Sequence, residues 1–194
     1  FLNYLYFSKH LHIILAFPNT FFSNLNTKGR FENLNSVTNE VKIFLDPNSS
    51  ISNPVGNDAI PDKFGASDVL DLNWVQLLNS YSCTECGRCS SVCPANQTGK
   101  LLSPRKVMMD TRDRIEDIGN NKNEGKFLLG DYISNEELWA CTTCNACTDA
   151  CPINLDPLSI IVDLRRYLVM EKSSAPTELN NMFSNIKSEF SLIT

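Results

Sequence analysis

Cys83-Thr84-Glu85-Cys86-Gly87-Arg88-Cys89-Ser90-Ser91-Val92-Cys93-Pro94 and Cys141-Thr142-Thr143-Cys144-Asn145-Ala146-Cys147-Thr148-Asp149-Ala150-Cys151-Pro152 share one pattern, C-x2-C-x2-C-x3-C-P. Together they use all eight cysteines of the 194-residue chain. This is the spacing of a bacterial-type 4Fe–4S site. The reason is geometric. A cubane cluster offers one thiolate position at each of four irons. Three cysteines two residues apart wrap a tight loop around three corners, and the fourth corner needs a sulfur from elsewhere. In two-cluster proteins of this type the fourth cysteine of each run serves the other cluster. That rule gives cluster one Cys83, Cys86, Cys89 and Cys151, and cluster two Cys141, Cys144, Cys147 and Cys93. Pro94 and Pro152 lack an amide donor and turn the chain away after the last ligand.

Other uses of the cysteines fit less well. Zinc sites often use pairs of C-x2-C but do not call for a third cysteine and a C-P in both runs. A disulfide framework suits an even count, yet thiols this crowded suit a metal better, and the chain is long for a stapled mini-domain. Chance would not give two matching runs of buried thiols. Clusters imply a reducing compartment, since the thiolates must stay unoxidised.

Composition narrows the function. The chain has 17 basic and 22 acidic residues, a net charge of −5. A nucleic-acid binder would show a basic face. No nucleophile–base pair, phosphate-cradling glycine loop or dinucleotide fingerprint is present.

Residues 1–18 read as the end of an apolar helix, membrane-associated or interfacial. The chain begins at Phe1, which is expected of a fragment or a processed product. Phe1–Phe17 is apolar around Ser8-Lys9-His10. It is shorter than the roughly twenty residues of a membrane span, and it lacks the charge order and cleavage site of a signal peptide. Tyr4 and Tyr6 suit an interface, and Lys9 can snorkel. The only histidines are His10 and His12. Two apart on a helix, they face different ways. Residues 19–65, rich in Asn, Ser, Pro and Gly, read as an extended linker, with a short strand expected at Val41–Leu45.

Residues 66–194 read as helices around the two cysteine loops. Ser67 is expected to cap a helix carrying Val69, Leu70, Trp74, Leu77 and Leu78. Ser103-Pro104 opens one that ends at Gly119. Ser134 and Glu137 form a capping box, Asp156-Pro157 opens a further helix, and a last one runs from about Pro176. Their apolar stripes are expected to be core faces first; only the last, with Leu179, Met182, Phe183, Ile186 and Phe190, has a second role as a neighbour's seat. Trp74 and Trp139 are expected to shield the clusters. Arg88 and Lys100 are expected as solvated charges. The fold class is mainly α, an α-helical ferredoxin-like dicluster domain behind an irregular linker and the end of an apolar helix.

The cysteine runs, with Trp139-Ala140 before the second and Leu102-Ser103-Pro104-Arg105-Lys106-Val107-Met108-Met109 after the first, resemble the heterodisulfide-reductase-related iron–sulfur proteins, relatives of the iron–sulfur subunits of glycolate oxidase, anaerobic glycerol-3-phosphate dehydrogenase and lactate-utilisation complexes. The resemblance covers about Phe64 to Phe190. It implies two 4Fe–4S clusters and an electron-transfer role beside a flavoprotein or Cys-Cys-Gly-type oxidoreductase subunit. In several relatives a membrane domain similar to the gamma subunit of nitrate reductase comes first and binds haem b. Ser8-Lys9-His10-Leu11-His12 resembles its end, which makes His12 the candidate haem ligand and implies the cytoplasmic side of the inner membrane, near its quinone pool. No two cysteines are adjacent here, so the catalytic Cys-Cys-Gly element is absent from the sequence. The plant-type C-x4-C-x2-C spacing is absent too. The reading is a relay carrying electrons between a partner's active site and a membrane haem or quinone. Two alternatives stand beside it: a piece of an enzyme whose catalytic module lies elsewhere, and a structural or sensory iron–sulfur protein.

Overall fold

The computed structural model describes residues 2–6, 8, 10–25, 31, 33–45, 63–122 and 125–190. In chain order the helices are α1 (Leu2–Tyr6), α2 (Leu11–Phe22), α3 (Asn35–Leu45), α4 (Trp74–Ser82), α5 (Arg88–Ser91), α6 (Pro94–Gln97), α7 (Pro104–Gly119), α8 (Asn135–Trp139), α9 (Ala146–Asp149), α10 (Pro157–Arg166) and α11 (Thr177–Phe190). No strand occurs among the described residues, in line with the mainly α reading. The turn-rich stretch 46–62 lies outside them.

Local chemistry starts α7, α8 and α10. Ser103 caps α7, with Pro104 at its first position. Ser134 and Glu137 bond each other's backbone amides and open α8. Asp156 accepts from the amides of Leu158 and Ser159 ahead of α10. Each satisfies donors that a helix start leaves unpaired. α10 then continues through a wider turn to Glu171.

The helix expected from Ser67 is broken in two. Asp68, not Ser67, caps a single 3-10 turn at Val69–Asp71. Leu72 is extended, and Asn73 starts α4 through a capping box with Gln76. The break lets Asp68 reach into the core while Gln76 donates to Asp163 of α10 at 2.7 Å. The strand expected at Val41–Leu45 is the end of α3. With no partner edge, a helix satisfies this backbone internally and a lone strand cannot.

The core lies where α4, α7, α8 and α10 meet. Val107, Met108, Leu138, Ile160, Ile161 and Leu164 are buried there. α4 contributes differently: it buries Gln76, Asn79, Ser80 and Ser82 and leaves Trp74 exposed. α11 departs from expectation as well, since Met182, Phe183 and Ile186 are exposed rather than core.

One ion pair ties the strap ahead of α4, residues 63–73, to this core. Arg114 of α7, 1% exposed, donates through Nε and Nη2 to the two oxygens of Asp68 at 2.9 and 2.7 Å. Asp68 Oδ1 also accepts from the amides of Val69 and Leu128. Burial by itself would raise the Asp68 carboxyl. Arg114 and the amides outweigh it and hold the group below the usual carboxylate range. Just upstream, Gly65 adopts φ +76°, and a Cβ there would lie 2.4 Å from the Asp163 carbonyl. Only glycine lets the strap pass so close to α10.

Removing one partner from a buried pair strands a charge, so Asp68→Ala should cost about 3–5 kcal/mol. Thermal unfolding of the cluster-loaded protein checks it. A carboxylate with a depressed folded pKa stabilises above its unfolded pKa and loses that contribution as pH falls through the folded value. The wild-type advantage over Asp68→Ala should therefore be full at neutral pH and shrink below the ordinary carboxylate range. A pH-independent gap would refute the assignment.

Candidate metal centre

The two cysteine loops have the same backbone. In the first, Glu85 and Gly87 take left-handed conformations, φ 57° and 81°. In the second, Thr143 and Asn145 do so at the matching positions, φ 55° and 60°. Two left-handed residues flanking the middle cysteine curl each loop tightly and turn backbone amides toward sulfur. The Thr143 amide donates to Cys141 Sγ at 3.4 Å. A β-branched residue in this region is a genuine outlier, so the loop carries strain at Thr143. In the first loop Arg112 of α7 pairs with Glu85 at 2.6 Å and holds that left-handed residue in place.

Each loop runs into a one-turn helix, α5 or α9, and these two pack against each other. Ser90 and Ser103 hydroxyls, 2.7 Å apart, fasten α5 to the start of α7. The packing turns the two loops face to face. Cys83, Cys86 and Cys89 line a cavity of about 60 Å³ together with Cys147 and Cys151 of the second run. Cys151 lies close enough to Cys83 and Cys89 for their charges to interact. Cys93 stands in the same relation to Cys141. All eight cysteines are free thiols in this structure. Among the described residues, no three His, Cys, Asp or Glu side chains close on a point to hold a single ion. The first-run thiols rim a cavity instead.

Burial pushes the Cys83, Cys89 and Cys141 thiols up, with neighbouring thiolates adding to the effect. Burial carries Cys147 to about 12. Cys86 is exposed, and the Arg88 amide, aided by the Arg88 charge, holds it below its usual value. Thiolates are the ligands of iron, so loading must expel protons from the buried thiols. The residues present fit an iron–sulfur group: soft sulfur donors from both runs, apolar walls such as Met108 and Leu155, and amides aimed at sulfur.

The 4Fe–4S dicluster family matches residues 82–155. Those residues are a 4Fe–4S dicluster domain. The domain holds two 4Fe–4S clusters. Among curated proteins, the chain is similar to "Probable iron-sulfur-binding oxidoreductase FadF" of Bacillus subtilis (strain 168), 30% identical over 96% of the chain and 29% of the relative. It is also similar to an EtfAB:quinone oxidoreductase of Syntrophomonas wolfei, 30% identical over 76% of the chain and 24% of the relative. A third relative is a "Probable membrane-anchored ferredoxin" of Chromohalobacter salexigens, 30% identical over 63% of the chain and 21% of the relative. The heterodisulfide-reductase resemblance holds as well: one of the subunits of a CoB-CoM heterodisulfide reductase of Methanosarcina acetivorans is 33% identical over 57% of the chain and 60% of the relative. The chain spans less than a third of the length of the first three relatives. No solved structure matches it.

The surroundings of the dicluster hold residues that sequence reasoning missed. Arg165 of α10 donates through Nη2 to the Cys141 carbonyl at 2.6 Å and through Nε to the Leu138 carbonyl at 3.0 Å. Its guanidinium lies over Trp139, 4.9 Å from the ring centroid. Among the described residues no carboxylate pairs with it, and burial lowers its pKa, opposed only by Cys141. Arg165-Arg166 reads in sequence as ordinary charge in a last helical turn, and nothing local points to a loop 24 residues away. Trp139 is half-buried, under the Arg165 guanidinium. Trp74 shields nothing: it is 57% exposed and meets Phe22 of α2 edge-on at 4.8 Å. Arg88 and Lys100 are exposed, as read from sequence. His12 lies in the first turn of α2, three residues from Leu15 and seven from Asn19, on the side of that helix docked to the domain.

A half-buried cation without a carboxylate favours the more negative, reduced state of whatever the Cys141 loop holds. The nearby Asp156 carboxylate is already engaged by the α10 N-terminus. Arg165→Gln should lower the potential of the Cys141-loop cluster by on the order of 60 mV, a tenfold change for a one-electron couple. Arg165→Lys should recover part of it. EPR-monitored redox titration measures both, and an unchanged potential in Arg165→Gln would remove the assignment.

Proposed function

We infer that this chain is the electron-transfer part of a larger oxidoreductase, relaying electrons between a flavoprotein or Cys-Cys-Gly-type partner and a membrane haem or quinone. The observation that carries the reading is the facing of the two loops, which sets Cys151 beside Cys83 and Cys89 and Cys93 beside Cys141. It supports crossed ligation: Cys83, Cys86, Cys89 and Cys151 around one cluster, Cys141, Cys144, Cys147 and Cys93 around the other. Each cluster, when bound, supplies a one-electron couple in the range that cluster type, hydrogen bonds and exposure set. The protein's own share is positional. Left-handed residues aim amides at sulfur, Arg112–Glu85 and Arg165 brace the loops, and Cys86 and Cys144 are the exposed corner of each set.

Relatives named as an EtfAB:quinone oxidoreductase and as a membrane-anchored ferredoxin support a partner oxidoreductase and a membrane setting. The cytoplasmic side of the inner membrane is the setting we infer. Among the described residues no helix is long and apolar enough to cross a membrane. Residues 66–194 form the cluster-bearing unit in this reading, and His12, upstream of it, would hold a b-type haem; a Soret band lost in His12→Ala checks that last part.

Anaerobic preparation with iron and sulfide counts should give about eight irons per chain, and the reduced protein two interacting S = 1/2 signals. About four irons, or zinc in their place, would sink the reading. Cys151→Ser should damage the cluster of the Cys83 loop. Damage confined to the Cys141 loop's cluster would refute the crossing.

A further inference from the structure

Helix α2 is built inside out. Its buried contact is polar: Asn19, 1% exposed, donates to the Ile153 carbonyl at 2.9 Å, and Ser82 donates to the Leu15 carbonyl at 3.3 Å. Its outward stripe is apolar. Ile13, Phe17 and Phe21, one turn apart, are 53%, 77% and 79% exposed. Phe22 and Trp74 extend the aromatic surface. Apart from His12, no acidic or basic residue lies in α2. A helix that hides an asparagine and shows phenylalanines is matched to an apolar phase outside the domain.

Where α2 sits is equally specific. Ser82 precedes Cys83, the C-cap of α4. Ile153 follows Cys151 by two residues and lines the same cavity as Cys83, Cys86 and Cys89. These two hydrogen bonds therefore fall beside thiols of one cluster set, and neither touches the Cys141 loop.

We propose that α2 lies in the membrane interface with its Ile13–Phe17–Phe21 stripe in the lipid, and that it seats the Cys83-loop cluster, not the Cys141-loop cluster, at the bilayer. The proposal rests on the relay reading above and fixes its order: the Cys83-loop cluster exchanges electrons with the membrane carrier, and the Cys141-loop cluster faces the partner. Lipid is favoured over a protein partner by the uncharged aromatic stripe, by the exposed Tyr4 upstream, and by the relative named a membrane-anchored ferredoxin. Interfacial helices bind through such aromatic faces.

The test uses the cluster-loaded chain and uncharged phosphatidylcholine vesicles, so that apolar contact alone can drive binding. The protein should float with the vesicles. Phe17→Ser with Phe21→Ser should lower the partition coefficient roughly a hundredfold, about tenfold per buried phenylalanine, with iron content and EPR signals unchanged. Doping the vesicles with a gadolinium-chelating lipid should then speed the relaxation of one reduced cluster. The signals are assigned by Cys86→Ser and Cys144→Ser, each at an exposed ligand. Faster relaxation of the signal altered by Cys86→Ser is expected. Faster relaxation of the other signal, equal relaxation of both, or no vesicle binding overturns the proposal. A wrong iron count would instead overturn the relay reading, and it leaves the partition measurement standing.

Discussion

The structure depends on the contact that brings the two cysteine loops together, α5 packed on α9. Each run places three thiols on a tight curl and carries its fourth beyond a one-turn helix, just ahead of a proline. The packing of α5 on α9 turns the curls toward each other and sets each fourth thiol beside the opposite loop. Much of the remaining architecture bears on that contact. Ser90–Ser103 fixes α5 to α7, Arg112 fixes Glu85, and Arg165 fixes the Cys141 end. On the crossed ligation proposed above, losing one cluster removes a clasp between the halves as well as a redox centre.

What was readable in the sequence was local. Ser103-Pro104, Ser134 with Glu137, and Asp156-Pro157 mark helix starts because the capping side chain and its amides lie within one turn. The spacing of the cysteines is equally local, and the glycine and asparagine that follow the middle cysteines suit left-handed backbone. The break between Asp68 and Asn73 was less visible, although Asn73-x-x-Gln76 has the form of a capping box. The decision between one helix and two is made by Arg114, 46 residues away. Arg165 and the two left-handed residues with side chains poorly suited to it, Glu85 and Thr143, were illegible for the same reason: their roles depend on partners that only folding supplies.

Hydrophobic pattern misled at both ends of the domain. Apolar residues on α4 and α11 look like core positions, yet α4 buries asparagine, glutamine and serine and leaves Trp74 out. Small hydroxyls let α2 come close, and the exposed indole then serves the aromatic edge of that helix. Periodicity locates a face but does not say what lies on the other side of it. A surface meant for lipid or for a partner has the same signature as one meant for the core.

The exposure of Cys86 and Cys144 has a cost as well as a use. A sulfur corner open to solvent shortens the path for an electron, and it shortens the path for dioxygen or peroxide in the same measure. Oxidation of such a ligand climbs from sulfenic acid to states that cells largely do not reverse. The same two residues are thus the thiols most open to such attack, and a partner seated over either corner would protect it.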